Sequence, residues 1–471
     1  MNNTYYEKIY DKHIASLYGI PRRIEEDTIL INKNSIPHKY SIIEERVDMT
    51  DIECYSIDPS GCEDADDAFS VYKESNGLYL AIHIADPTEY INIDSELWKS
   101  IEQRIVTCYP SNRKPYHMIP SEIMEISSLM ENKYGNIKNA ISIITEIDKD
   151  KYFPIGNVKL LYTRIKVKKE NALEYSKARN LTNEIFDIKY GIKISQALIT
   201  KRGDKTKGIV LNDVTTSLIS YENNIPTLKV VCKEEKIMKQ MIAEFAIFSN
   251  TFIGNYLKLH FNNTGIFRMC NASDLLDRED VNNMSGNELL QEIITSGIRA
   301  DYVSNVKSHD LVGSEEYTHF TSPIRRASDC ICHYLLKYIY LKQNNKNIMT
   351  PFTLEKLKNL SEKCVSKSRD IKKIQYKDTK FRLIQVMYNM LLNNDKLKLT
   401  YYITSYTNSF INIIIKNIDY FNVYLSYTIR VKNYNYLHEP KKIYTIKITK
   451  VNCPKKFDEG SIPELDGIFI K

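Results

Sequence analysis

The sequence predicts an α+β chain: a large domain of mixed β-sheets with surrounding helices, then a small C-terminal β-barrel of the OB type. Three observations predict it. Short alternating segments punctuated by turn signals fill residues 54 to 169. Apolar residues at three- and four-residue intervals mark a helix at residues 235 to 259, with further helices at 329 to 343 and 353 to 392. Past "NNDK" the period changes again, to short segments rich in β-branched and aromatic residues.

The elements follow in order. Residues 1–45 form a short polar arm, with a helix expected near 3–18 and an apolar stretch at "TILINK". "CYSI", "AFSVYK" and "LYLAIHIAD" read as strands, and "ESNG" as a hairpin turn in which Gly77 supplies a positive φ. "SELWKSIEQRI" is a short helix and "CYPSNRKPYHMIP" a loop broken by prolines. "AISIITEID" and "VKLLYTRIKVKK" return to strand texture. Residues 235–259 form the clearest helix, 329–343 a second, and 353–392 one long helix or a helical pair. The domain plan is therefore an arm (1–45), a catalytic domain (46–395) and an OB-like module (396–471).

Composition excludes several classes. No run of about 18 apolar residues exists to cross a membrane, and the first residues lack the basic-then-apolar order of a signal peptide. Nine scattered cysteines, an odd number, fit free thiols in a reducing, cytoplasmic setting better than a disulfide framework. A net charge of +6 is compatible with a polyanionic partner. The 34 tyrosines serve equally for stacking on bases and for filling a core.

Against that positive balance, "SIDPSGCEDADDAF" concentrates Asp58, Glu63, Asp64, Asp66 and Asp67. Two like charges about 4 Å apart cost roughly 1 kcal/mol in water and about 4 at a surface-like dielectric. Converged carboxylates become tolerable around a hard divalent cation, and Mg²⁺ prefers oxygen ligands while leaving positions for water and phosphate. For a bare cluster, a solvated acidic turn is the plainer reading. An EF-hand does not fit, because its Gly and final Glu are misplaced, and a sugar-transferase aspartate pair is a short, weak pattern.

The wider pattern is more specific. "YSIDPSGCEDADDAFSV" followed by "YLAIHIADPTEYI" resembles the signature of the RNB family, the RNase II and RNase R exoribonucleases. Asp58, Asp64, Asp66 and Asp67 match its four acidic positions, and His83 to Asp86 its second block. "ERVDM", "CYPSNRKPYHMIP", "MIAEFAIFSN" and "IFRMC" follow in the family's order. "EYTHFTSPIRRASDCICHYLL" is close to its Y-T-H-F-T-S-P-I-R-R block. The likeness covers roughly residues 45–390. The family's N-terminal cold-shock barrels have no room in 45 residues, which together with the AT-biased composition suggests a viral or parasite source.

The resemblance implies a Mg²⁺-dependent 3′-to-5′ exoribonuclease that degrades single-stranded RNA to nucleoside 5′-monophosphates, with Mn²⁺ as a substitute ion. It implies one or two ions held by Asp58, Asp64, Asp66 and Asp67, with Asp66 and Asp67 the indispensable pair. Arg325 would pin the phosphodiester, and Arg326 would bind RNA beside it. Guanidinium forks suit phosphates, and pairing with Asp329 or the acidic loop is the plain alternative. Tyr109 matches an aromatic that stacks on the terminal base. Glu244 would either reach the terminal ribose or face outward. His83 and His319 read as structural, and Cys330, Cys332 and His333 splay too widely on a helix for zinc. Ala327, Tyr334 and Cys270 depart from the family pattern, which puts substrate grip or helix packing in question. The expected partner is single-stranded RNA, with a monomeric chain. A DNA-active nuclease and an inactive RNA-binding scaffold stand as rivals.

Overall fold

A computed structural model describes residues 24–470, apart from 112–113, 206–216, 223–224, 231, 285, 394–396, 419–420, 423–427, 434–438, 440–441 and 453–463. The expected helix near 3–18 and the expected boundary at 395 lie outside the described residues. "TILINK" belongs to helix α1 (Ile24–Asn32).

Seven strands shape the first half: β1 (Val47–Asp48), β2 (Ser56–Asp58), β3 (Asp67–Glu74), β4 (Gly77–Ala85), β5 (Ile137–Ile147), β6 (Pro154–Lys166) and β7 (Ala172–Glu174). Five build one sheet in the order β1-β6-β5-β4-β3. The meander β3 to β6 is antiparallel, and β1 joins its edge in parallel. The central strands β4 and β5 are buried along most of their length, as their near-continuous apolar runs require. The turn before β4 differs from expectation: Ser75 carries the positive φ (52°). Gly77 is required for space instead, since a Cβ there would come within 2.5 Å of the Tyr79 ring.

Helices pack on this sheet. Ser95 caps α2 (Glu96–Arg104), accepting the Trp98 N–H at 3.2 Å. Asp187 on α3 (Phe186–Lys205) accepts the Val71 N–H at 2.7 Å, and Phe245 on α4 (Lys233–His260) meets Phe69 with ring centroids 5.4 Å apart. The hairpin β8 (Ser217–Glu222) and β9 (Ile225–Val230) follows α3, and the hairpin β10 (Thr264–Cys270) and β11 (Ala300–Asn305) follows α4. Between β10 and β11 lies α5 (Gly286–Thr295).

Helix α6 (Ala327–Gln343) is buried on nearly every side. It is fastened by charge: Lys337 lies 3.0 Å from both Asp86 and Glu89, and Arg46 pairs with the same two carboxylates, all with fully buried side chains. Helix α7 (Leu354–Asn393) is a single continuous rod of 40 residues. Leu357, Leu360 and Cys364 at its start belong to the main core, whereas Leu383, Ile384 and Met387 near its end belong to the core of the C-terminal barrel.

The barrel strands are β12 (Lys398–Tyr406), β13 (Phe410–Ile418), β15 (Thr428–Lys432), β16 (Ile443–Asn452) and β17 (Glu464–Ile470), with a short β14 (Phe421–Asn422) paired to β13. They close in the ring β12-β13-β15-β17-β16, parallel only between β15 and β17, which is the OB arrangement. Leu399, Tyr401 and Ile403 face inward at period two, as do Ile411, Ile413 and Ile415. Leu290 and Ile294 of α5 pack on Tyr402 and Ile414, and Ile219 and Leu228 of the β8–β9 hairpin pack on the same barrel.

Candidate active site

The acidic loop passes between two sheets. Strand β2 pairs in parallel with β7, placing Asp58 opposite Glu174, while β3 starts at Asp67 on the edge of the main sheet. The Tyr55–Phe69 bridge draws the two strands together. Asp58 at the end of one strand and Asp67 at the start of the next therefore open on one cavity of about 800 Å³. Asp64 and Asp66 line it too, with Tyr109, Lys114, Tyr175 and Arg325. Glu63 is exposed.

Each carboxylate is held differently. Asp66 is buried: one oxygen accepts the Ile324 N–H at 2.8 Å and the other accepts Arg325 Nε at 2.9 Å. Asp64 accepts the Tyr109 hydroxyl at 2.6 Å. Asp67 accepts no hydrogen bond from any described residue. Asp58 Oδ2 is buried with no partner. Burial and the nearby Asp67 charge push Asp58 up to about 7. Burial also pushes Asp67 up, to about 6, against the pull of Arg325 and Arg326. Asp66 moves the same way, because its burial outweighs Arg325 and the Ile324 N–H.

Among the described residues no three carboxylate, imidazole or thiol groups lie close enough to hold a metal ion as they stand. The donor set nonetheless fits a hard cation. It is all oxygen, it surrounds a cavity, and it includes the orphaned Asp58 Oδ2. A cation entering there would offset the burial that holds Asp58 and Asp67 above the ordinary carboxylate range, and the Asp67 charge that adds to it at Asp58.

Arg325 faces the cavity with its side chain 46% exposed, steered by Asp66 and by the Ser322 hydroxyl at 2.9 Å. The loop "YTHFTSP" feeds α6 as expected, with Ser322 N–H donating to Asp329 at 2.8 Å. Tyr109 forms part of the cavity wall, and its carbonyl accepts Gln375 Nε2 of α7 at 3.1 Å. Asp378, also on α7, accepts the Ser111 N–H at 2.7 Å. Thus α7 pins the loop that carries the aromatic.

Two expected site residues lie elsewhere. Glu244 is buried on the α4 face opposite Ile242, the α4 residue that lines the cavity, and it pairs through both oxygens with Arg202. A contact from Glu244 to a ribose in the acidic cavity is therefore corrected: two residues along a helix turn a side chain by about 200°. Arg326 turns from the cavity and donates to Asp329 at 2.8 Å. His83 sits between Ser70 and Ser142, pushed down to about 4 by burial. His319 is bound to the Tyr302 hydroxyl at 2.7 Å. Cys330 donates to the Pro323 carbonyl and His333 meets the Phe320 carbonyl, so neither serves zinc.

The departures from the family pattern are packing changes. Tyr334 is fully buried among Trp98, Tyr40 and Phe352 and donates to the Ile91 carbonyl at 2.5 Å. Ala327 and Cys270 are buried in the same core region and at the end of β10, respectively. Tyr175 and Lys114 were missed by sequence reasoning, since neither stands in the acidic block. Both lie downstream of it, Lys114 within "CYPSNRKPYHMIP" and Tyr175 at the start of a short helix.

The RNB domain family matches residues 46–342, more than half of the chain. The chain belongs to the RNB family. This RNB protein is 26% identical over 368 residues to Ribonuclease R of Thermotoga maritima, covering 68% of this chain and 49% of that one. It is 26% identical over 367 residues to Exoribonuclease 2 of Buchnera aphidicola, covering 68% and 53%. The chain thus spans about half the length of the curated relatives it matches. Its fold resembles Mycoplasma genitalium RNase R, solved in complex with ribose-methylated single-stranded RNA, with a TM-score of 0.77 at 16% identity over 99% of this chain and 79% of that one. It also resembles yeast Ssd1, described as a pseudonuclease, with a TM-score of 0.62 at 16% identity over 79% and 49%.

Proposed function

We propose that this RNB protein is a Mg²⁺-dependent 3′-to-5′ exoribonuclease that hydrolyses single-stranded RNA to nucleoside 5′-monophosphates. The observation that carries it is the joint placement of Asp58, Asp64, Asp66 and Asp67 with Arg325 on one 800 Å³ cavity. Its relatives' names, Ribonuclease R and Exoribonuclease 2, support the substrate class and the exonucleolytic mode.

Asp58 and Asp67 offer the least engaged oxygens and would be the first to hold the ion, with Asp64 completing the set and Asp66 reached last. Bound there, Mg²⁺ supplies an activated water and charge neutralisation at the phosphodiester. The chain's own residues do the positioning. Asp66 takes Arg325 Nε, which leaves the outer edge of the guanidinium fork to grip a phosphate. Tyr109 gives the cavity a flat aromatic wall on which a terminal base can stack whatever its identity. The Tyr109 hydroxyl fixes Asp64 in turn, so base position and ligand position are coupled. His83 and His319 stand outside this scheme.

The barrel supplies cationic and aromatic groups for RNA: Arg430 lies over the half-buried Phe410 ring. The protein acts as a monomer in the cytoplasm. No described helix is long and apolar enough to cross a membrane. The likeness to a pseudonuclease favours one alternative, an RNA-binding scaffold without turnover. A 3′-tailed RNA hairpin and its DNA counterpart, each with Mg²⁺ or EDTA, separate the readings. Mononucleotide release from the RNA 3′ end, abolished by EDTA, supports the proposal; RNA binding without release supports the scaffold.

A further inference from the structure

Three cations crowd a place next to the acidic cavity but outside it: Arg268 on β10, Arg326 at the start of α6, and Lys372 on α7. Contacts fix their neighbourhood. Arg268 stands opposite Tyr302 in the β10–β11 register, with its guanidinium 4.6 Å from the centre of the Tyr302 ring. The Tyr302 hydroxyl accepts from the hydroxyl of Ser328 at 3.1 Å, two residues past Arg326. Helix α7 is keyed to the same hairpin by Arg369, which donates to Asp301 at 2.7 Å. Lys372 lies three residues on, one turn along that face.

The acids nearby do not balance these charges. Asp301 is taken by Arg369. Asp329 pairs with Arg326 and also accepts the Ser322 N–H and the Ser328 hydroxyl. Arg326 Nε is buried without a partner. Arg268 and Lys372 have no acidic partner among the described residues, and Lys372 keeps only part of its surface open to solvent. Burial and the charges of Arg268 and Arg326 hold the Lys372 ammonium below its ordinary range, with Asp301 pulling the other way. A solvated lysine alone on a helix would feel none of this.

We propose that Arg268, Arg326 and Lys372 form a second phosphate-binding subsite, which takes a backbone phosphate of the RNA strand other than the one being cleaved. The proposal rests on the reading of the protein as an RNA-degrading enzyme. Arg325 lines the acidic cavity, whereas Arg326 stands outside its lining and donates to Asp329. Neighbouring arginines thereby divide two phosphates: Arg325 serves the acidic cavity and Arg326 the cationic site. Arg326 offers a planar fork, Lys372 a mobile point charge, and Arg268 a guanidinium held in place by the Tyr302 ring.

The test uses Lys372→Gln, a change at an exposed position, alone and combined with Arg268→Gln. Affinity for a single strand of roughly twelve nucleotides is measured in EDTA across a range of salt. Loss of one phosphate contact makes the slope of log K against log salt shallower by about 0.7, with affinity falling several-fold. Hydrolysis of a dinucleotide, which has a single phosphodiester, stays as in wild type, while KM for the longer strand rises at constant kcat. An unchanged slope, or an equal loss on the dinucleotide, overturns the proposal. So does competition by inorganic phosphate that depends on Lys372 when the RNA slope does not, since the site would then take free phosphate. If Arg268→Gln unfolds the chain, Lys372→Gln and Arg268→Lys decide. The binding arms read no turnover. A normal slope change in a chain that releases no mononucleotide would refute the enzymatic reading and leave the subsite standing.

Discussion

Two groups of buried carboxylates sit in the same domain and are treated in opposite ways. Asp86 and Glu89 are matched by Arg46 and Lys337, and although burial alone would raise them, those cations hold both below the ordinary carboxylate range. Asp58 and Asp67 are buried with too little positive charge, and they rise to about 7 and about 6. The first group ties β4 and the turn after it to α6 and completes itself. The second is incomplete, and on the proposed function the missing charge is the one that a divalent cation would bring. The same fold thus separates charge that holds structure from charge that awaits a ligand.

That contrast breaks most visibly at Asp67. Asp67→Asn keeps shape and removes one ligand, so mononucleotide release falls by at least about 10²-fold, while RNA affinity stays within about threefold. Fold stability in EDTA is unchanged or rises, because a charge that burial disfavours is gone. Release rates and urea melts on the same preparation check both halves. Lys337→Met has the opposite signature. It leaves Asp86 and Glu89 under-compensated and destabilises the fold by about 3–5 kcal/mol, read from urea unfolding, while kcat of the folded fraction is retained.

Arg325→Lys probes the junction of the two regimes, where a cation is paired yet still faces the cavity. Lysine keeps the charge and loses the fork, so single-turnover cleavage drops by about tenfold. A loss below threefold would mean that Arg325 only balances Asp66. The smallest effect belongs to Tyr109→Phe. It keeps the stacking ring and removes one hydrogen bond to Asp64, worth about 1 kcal/mol or roughly fivefold in turnover; Tyr109→Ala should weaken grip on the terminal nucleotide as well.

The carboxylates of the cavity were legible in the sequence because the acidic loop is local: Asp58 to Asp67 span one short segment, and the spacing is its own signal. The strands were legible from alternation, and the barrel from four such segments after "NNDK". Glu244 was not, because a helix residue's facing depends on which side the sheet takes. Ile242 lines the cavity, and Glu244, two residues on, turns to Arg202. The Arg46–Asp86–Glu89–Lys337 cluster was hidden for another reason: its members are separated by up to 291 positions in the chain and meet only through packing. Arg326 shows the same limit, since of two neighbouring arginines only Arg325 lines the cavity.

The central claim is that the acidic cavity is a cation site left uncompensated by the protein itself. Its pH behaviour has a definite sign. Asp58 and Asp67 are raised above their unfolded value of 3.8, so their stabilising contribution is full below about pH 4 and is lost as pH rises through about 6 to 7. Asp86 and Glu89 are lowered, so their contribution is full above the ordinary carboxylate range and is lost only in stronger acid. A divalent ion must displace the protons that Asp58 and Asp67 retain. The direct measurement is calorimetric titration of Mg²⁺ into the metal-free protein near pH 6, in two buffers of different ionisation enthalpy. The account predicts saturable binding with release of roughly one proton per chain, abolished in the Asp58→Asn, Asp67→Asn double variant and retained in Lys337→Met. Mg²⁺ binding without proton release, or release that survives the double variant, would contradict it.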